Sequence, residues 1–434
     1  MNTAIADLTE RPVETPERLA QGRLESLDII RGVAVMAILL MNIVDFAMPG
    51  AAYFNIRAYG GSHGANYDVF LFNYLLFDGK MRGLFSFLFG ASTLIVIEAA
   101  EAGGRSATRA HFSRMAWLLV IGLAHLWLLW DGDILSLYAP IGMIAFLFRK
   151  LPPHRLIVIG ALLIVGETAL ATSVAFDVRA TEIAAAAPHP SAATLKHFAD
   201  YVDSFGVPPR SRIAERLAVG RGSYAGLVRD RFQHYPQGPL TSVMFAGLET
   251  LGFMLLGMAL LKNGLLAGRW PRARYWRWVT IGFAIGLAYY GAGAVYLERA
   301  DHSVTATVFA QLALVVPFRP WMIVGWACLI LLLARPGGAL TQRVAATGRM
   351  AFSNYLATSL ICTTLFYGYG FGWFGYLQRF ELYLVVVLIW VAMLLWSKPW
   401  LSHFRYGPFE WVWRSLARGA FQPMRTSAKV AIEN

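Results

Sequence analysis

Charge is scarce in this 434-residue chain: Asp, Glu, Lys and Arg make up 15%, against 57% hydrophobic residues. Soluble domains carry about 25% charged residues, so an ordinary soluble fold is excluded. Cysteine is scarcer still. Cys328 and Cys362 both lie in apolar runs, where they read as small core residues and exclude a disulfide framework or a CxxC site. HExxH, metal-ligand spacing and a Walker loop are also missing, so no metal is expected. Residues 1–22, MNTAIADLTERPVETPERLAQG, have no hydrophobic region. They read as a disordered cytoplasmic tail and not as a cleaved signal peptide, which leaves the first membrane helix as the targeting signal.

What is present is long apolar runs, with a mean hydropathy of +0.50. Runs near 28–48, 69–100, 113–131, 133–149, 155–176, 240–262, 275–297, 317–335, 349–370 and 380–397 each suffice to cross roughly 30 Å of hydrocarbon. The fold class is therefore all-α: a polytopic membrane bundle of about ten helices. Basic residues fall in every second connection: Arg105, Arg109 and Arg114; Arg149, Lys150 and Arg155; Lys262 to Arg277; Arg335 and Arg343; Lys398 onward. The alternate short connections are nearly free of them, which places both termini in the cytoplasm of a bacterial-type inner membrane. The net charge of +12 is thus topology-setting and implies a lipid partner, with no nucleic acid.

Five helices over 23–176 precede an extracytoplasmic segment, 177–239, expected to form short amphipathic helices over the outer mouth. Five more follow over 240–398, and 399–434 is an amphipathic, aromatic and basic cytoplasmic tail. Long loops cross largely regardless of charge, so the arginines of 177–239 do not break the alternation. GAG and GYGFG in the later half read as close helix packing. Glu410 and Arg414 are spaced as an i, i+4 pair on a surface helix.

Ionisable groups inside the apolar runs mark the candidate site, because such groups are costly and face a bundle interior or a cavity. His125 lies inside an apolar helix that ends at Asp131-Gly132-Asp133. A neutral histidine oriented by Asp133 is a general base, and a core histidine satisfied by backbone is the competing reading. On the first helix Asp28, Arg31, Val35, Ile38, Asn42 and Asp45 share one face. Asn42 is a site residue or interhelical glue, and Asp45 sits near the outer mouth. In the loop that follows, His63 is flanked by glycines in GGSHGAN, as a loop base or a solvated turn. Asp78, Lys80 and Arg82 interrupt the second run, which predicts a break around Gly79. Lys80 and Arg82 either meet a phosphate or carboxylate or pair with Asp78. Glu167 and Glu249 are isolated acids assigned to the same cavity.

Leu27-Asp28, Arg31-Gly32, Asn42, His125, Gly132-Asp133-Ile134-Leu135, Tyr138-Ala139, Gly348-Arg349, Asn354-Tyr355 and the ending Gly407-Pro408, Glu410-Trp411, Trp413-Arg414 resemble the YeiB-like membrane proteins, catalogued as domain of unknown function 418. The resemblance runs from about Arg23 to Arg418. The opening motif is also similar to the transmembrane acyltransferases. Among them, the lysosomal heparan-glucosaminide acetyltransferase moves acetyl from cytosolic acetyl-CoA to a sugar on the far side. A histidine after its first helix is catalytic, and His63 occupies a comparable loop here; His125 belongs to the YeiB-like pattern. The resemblance implies an acyltransferase whose anionic acyl-CoA donor meets Arg31, Lys80 and Arg82 at the inner end. His125 with Asp133, or Asp45, would serve a glycan, lipid or small-molecule acceptor outside. The alternative is a transporter using the same groups as a proton relay. Oligomeric state is not encoded in these patterns.

Overall fold

The computed structural model describes residues 24–426, so the tail expected over 1–22 lies outside the described residues. The chain is an all-α polytopic bundle. Its helices are α1 (Glu25–Ala47), α2 (Ala65–Leu76), α3 (Lys80–Ala102), α4 (Ala107–Ala124), α5 (Leu135–Ala145), α6 (Pro153–Ala185), α7 (Ala192–Phe205), α8 (Arg210–Gly220), α9 (Tyr224–His234), α10 (Gly238–Lys262), α11 (Arg272–Arg299), α12 (Arg319–Leu333), α13 (Ala339–Arg349), α14 (Ala351–Phe366), α15 (Arg379–His403) and α16 (Pro408–Arg418). Short turns of helix also form at Ala51–Phe54 and Val304–Val308.

Among the described residues, eight helical runs are long and apolar enough to cross a membrane. The hairpin partner Leu135–Phe148 is shorter, as is the 16-residue α14, so two of the ten expected spans fall below that length. Leu384, Leu388 and Leu395 on α15, and Leu162, Val165 and Phe176 on α6, are exposed. Apolar side chains of this size lining outward faces belong against lipid. α1 and α10 form the buried centre instead, with α10 packed on α3 and α6 and α13 on α1.

The expected break at Gly79 is present. Gly79 has φ +68, and a Cβ there would lie 2.4 Å from Nε of Arg319, so only glycine admits both the turn and the guanidinium. A second break was not expected. The run Val304–Leu333 passes through a π turn, Phe309–Leu314, and a 3-10 turn, Val316–Phe318, before α12 begins. The span read as 317–335 therefore starts some thirteen residues earlier.

The segment 177–239 also differs at its start. α6 continues to Ala185 because its alanine-rich end has no breaker before Pro188; α7, α8 and α9 then follow. GYGFG is a loop after α14 that packs closely on the end of α8: the Gly368 N–H donates to the Gly220 carbonyl at 3.0 Å. Glu410 does not form the expected salt bridge with Arg414. Its carboxylate takes the Phe352 N–H at 2.8 Å, the Ser353 N–H at 3.1 Å and the Ser353 hydroxyl. A free helix N-terminus offers unsatisfied donors, and that outweighs a solvent-screened pair.

Alternating topology carries a direct expectation. A reporter active only in the cytoplasm should work when fused after Arg105, Arg149, Lys262, Gly337 or Asn434. It should be silent after Gly60, Pro208 or His302, and signal at any of these three would overturn the alternation.

Candidate functional site

α4 ends by widening into a π turn over His125–Leu129, closed by the Trp130 N–H on the His125 carbonyl at 2.8 Å. Such π turns carry a strained register and recur at functional sites. The turn Asp131-Gly132-Asp133 then reverses the chain into α5. Asp133 Oδ1 lies 2.8 Å from His125 Nδ1, and its Oδ2 accepts the Ser136 N–H at 2.7 Å. Both side chains are withdrawn from solvent, at 2% and 0% exposure. Nδ1 donates to the carboxylate, which leaves the lone pair on Nε2. That Nε2 is buried and has no hydrogen-bond partner.

The surroundings of the imidazole come from three elements. Tyr355 of α14 lies 5.3 Å away between ring centroids, and Trp130 stands edge-on at 6.1 Å. Trp130 donates Nε1–H to Asp45 Oδ2 at 3.0 Å and stacks on Phe46 at 3.9 Å. The Tyr355 hydroxyl accepts the Ile134 N–H at 3.3 Å. Between α1 and α14 is a cavity of about 10 Å³ lined by Val35, Ile38, Asn42, Trp130, Tyr355 and Ser359, room for about one water. Val35, Ile38 and Asn42 of the α1 stripe line this space, and Asp45 is tied to its wall through Trp130. Farther out, Arg231 of α9 lies 3.9 Å from Asp131 and 5.6 Å from the Tyr367 ring centre. Arg231 was missed in the sequence because the long outer segment holds several arginines with nothing to distinguish one.

The structure does not gather Arg31, Lys80 and Arg82 into one inner site. Arg31 pairs with Asp28 at 3.0 Å and donates to Ser92 at 2.8 Å. Ser92 and Arg82 are ten residues apart on α3, about 15 Å at 1.5 Å per residue. Lys80 is fully buried. Its Nζ donates to the Tyr74 carbonyl at 2.6 Å and sits 3.0 Å from the centre of the Tyr290 ring; this replaces the expected pairing with Asp78. Arg82 pairs with Glu249, which also holds Arg319, and Arg319 Nε reaches the Tyr290 hydroxyl at 3.2 Å. Glu167 accepts the Glu249 N–H at 3.3 Å. Glu167 and Glu249 therefore join this mid-bundle charge cluster and not the His125 pair.

His63 is exposed on the loop between α1 and α2 and lines a separate cavity with Tyr67, Glu298 and His302. It is not brought to Asp133. Among the described residues, no group of three or more His, Cys, Asp or Glu side chains has the arrangement to hold a metal ion.

The chain is 31% identical over 414 residues to "Uncharacterized protein YeiB" of Escherichia coli (strain K12), covering 92% of this chain and 97% of that one. The chain belongs to the YeiB-like membrane protein family. A family described as "Protein of unknown function (DUF418)" matches residues 260–420. "Uncharacterized protein YxaH" of Bacillus subtilis (strain 168) is 30% identical over 427 residues, 95% of this chain and 98% of its own. An "Uncharacterized 39.9 kDa protein in amylase 3'region" of Bacillus acidopullulyticus is 23% identical over 404 residues, 91% and 93% of the two chains. No solved structure matches. Several residues that carried the family resemblance now have physical work in packing. A Cβ on Gly348 would lie 1.9 Å from the Asp28 carbonyl oxygen, and one on Gly32 would lie 2.0 Å from that of Val344. Asn354 bonds Thr347, Ser397 and Trp396. Of that set, Asn42 and Tyr355 line the cavity, and His125, held by Asp133, lies beside Tyr355.

Proposed function

We propose that this multi-pass membrane protein is an acyltransferase of the bacterial inner membrane. It moves an acyl group from a cytosolic acyl-CoA-type donor to a hydroxyl or amine of an extracytoplasmic glycan, lipid or small molecule. The observation that carries the reading is the buried His125 Nε2, left free while Nδ1 is held by Asp133 at 2.8 Å. An imidazole fixed in that tautomer accepts a proton. Nε2 takes the proton of the acceptor O–H or N–H as its heteroatom attacks the thioester carbonyl. The C–S bond then breaks, and the departing thiolate takes the proton back from the imidazolium. Asp133 keeps the ring oriented and stabilises its charged form. Asp45 holds Trp130, which walls the site.

The bacterial relatives support an inner-membrane setting. Of the three cations first assigned to the donor, Arg31 lies at the inner end, while Lys80 and Arg82 are engaged deeper in the bundle. From Arg31 to Asp45 is fourteen residues of α1, about 21 Å, so the donor must reach outward on a long flexible arm. The wall between α1 and α14 has room for about one water, so α1 and α14 must part to admit substrate.

A second reading, proton-coupled transport, is favoured by a different observation. Two interrupted helices meet at the Arg82–Glu249–Arg319 cluster, and discontinuous helices at mid-membrane are how transporters build sites. One experiment separates the two. Protein purified in detergent is incubated with radiolabelled acetyl-CoA and a cell-envelope extract. Transfer of label to an envelope component is expected. Label that stays on the thioester, together with solute uptake by proteoliposomes, would replace the acyltransferase with the transporter.

A further inference from the structure

The outer surface carries a second polar cavity, of about 200 Å³, whose wall includes Arg57, Ser62, His63, Tyr67, Glu298 and His302. None of these residues lines the space between α1 and α14. It is about twenty times the volume of the space between α1 and α14, room for a solute the size of a sugar ring. Its floor is built at a cost. Asp301 and His302 both adopt φ +51, a left-handed conformation that residues with a side chain rarely take. Asn55 holds the strained turn by donating to the His302 carbonyl at 2.8 Å, and Arg57 pairs with Asp301.

The turn delivers His302 beneath the loop. Its Nε2 lies 2.6 Å from Glu298 Oε1, and Nδ1 is buried without a partner. Strained backbone that places a buried, half-satisfied imidazole in a cavity wall is a signature of a site. The Tyr67 hydroxyl reaches the same Glu298 carboxylate. Gly61 and Gly64, with φ +88 and +56, turn the loop that carries His63 over the opening.

The chemistry of the wall selects the ligand. Asp301 takes the charge of Arg57, so Glu298 is the carboxylate left to set the sign, and an anion is disfavoured. What remains is a mixture of donors and acceptors at several heights: a carboxylate, a phenol, a hydroxyl and two imidazoles. A molecule with many hydroxyls satisfies such a wall, and the Tyr67 ring offers a flat face to its C–H groups. We propose that this outer cavity binds a small polyhydroxylated molecule of monosaccharide size through hydroxyl contacts to Glu298, Tyr67 and His63. The site does not rest on the acyl-transfer reading and stands for an enzyme or a transporter alike.

The test is saturation-transfer NMR on the full chain in nanodiscs, with D-glucose, N-acetyl-D-glucosamine and inorganic phosphate as probes. Transfer to at least one sugar is expected, weakened fivefold or more by Tyr67→Phe and by His63→Ala. Both replacements remove polar atoms from the wall and leave the strained turn in place. Thermal melting of each variant checks that it is folded. His125→Gln should retain the sugar signal, since that ring lies outside the cavity. No transfer to either sugar in wild type, transfer to phosphate alone, or signals untouched by both cavity variants in folded protein would overturn the proposal. Loss of the signal in His125→Gln would place the sugar elsewhere and overturn it too.

Discussion

Glu249→Ala is expected to cost about 3–5 kcal/mol of folding stability, the largest loss anticipated for a single replacement in this chain. Glu249 is the shared counter-ion of Arg82 and Arg319, and its side chain is 3% exposed. Removing it leaves two guanidiniums facing each other without a carboxylate. Arg319 carries most of the expected loss, because its side chain is 7% exposed against 24% for Arg82. The measurement is the midpoint of denaturant unfolding in detergent. The triple replacement Glu249→Leu, Arg82→Met and Arg319→Met should recover most of the loss, since a buried ion network swapped for apolar groups of similar size is often near neutral. A single-mutant loss below about 1 kcal/mol would show that the cluster is hydrated, as surface pairs are.

How much of this was legible in the sequence depends on the distance over which each feature is encoded. Spanning helices announce themselves locally, through the length of an apolar run, and eight runs among the described residues answer to that rule. The His125–Asp133 pair was legible for the same reason: eight residues separate the two, and the turn at Gly132 folds one onto the other. The break at Gly79 could be read from three charges beside a glycine.

The partners of those charges could not be read. Lys80 was set against Asp78, its near neighbour, yet its Nζ reaches the Tyr74 carbonyl and the ring of Tyr290, 210 residues away in sequence. Arg319 draws no notice in the sequence, where it stands at the head of an apolar run. The helical path begins at Val304 and is hidden by π and 3-10 turns ahead of it, so this arginine lies inside the bundle. Hydropathy measures composition along the chain, and these cases turn on which faces meet across it. Part of the family motif also speaks for packing alone: Gly32 and Gly348 let α1 and α13 touch backbone to backbone. Chemistry and architecture leave similar marks in a motif until the contacts are known.

His125→Gln should lower acyl transfer by about 10²–10⁴-fold, the usual contribution of a positioned general base. Glutamine places its amide near the position of Nε2, where it cannot take up a proton. Asp133→Asn tests the orienting role separately. Its carbonyl can still accept the Ser136 N–H, while its NH₂ group faces Nδ1 and favours the tautomer with the proton on Nε2. Turnover should then drop by a similar factor although the imidazole is still present. A structural histidine predicts the opposite pattern. Leaving the buried Asp133 carboxylate short of a donor would cost about 1–3 kcal/mol, with a matching drop in melting temperature, and the protein that stays folded would turn over normally. Unfolding midpoints and transfer rates measured on the same preparations decide between them: full specific activity in the folded fraction of either variant would remove His125 from the chemistry.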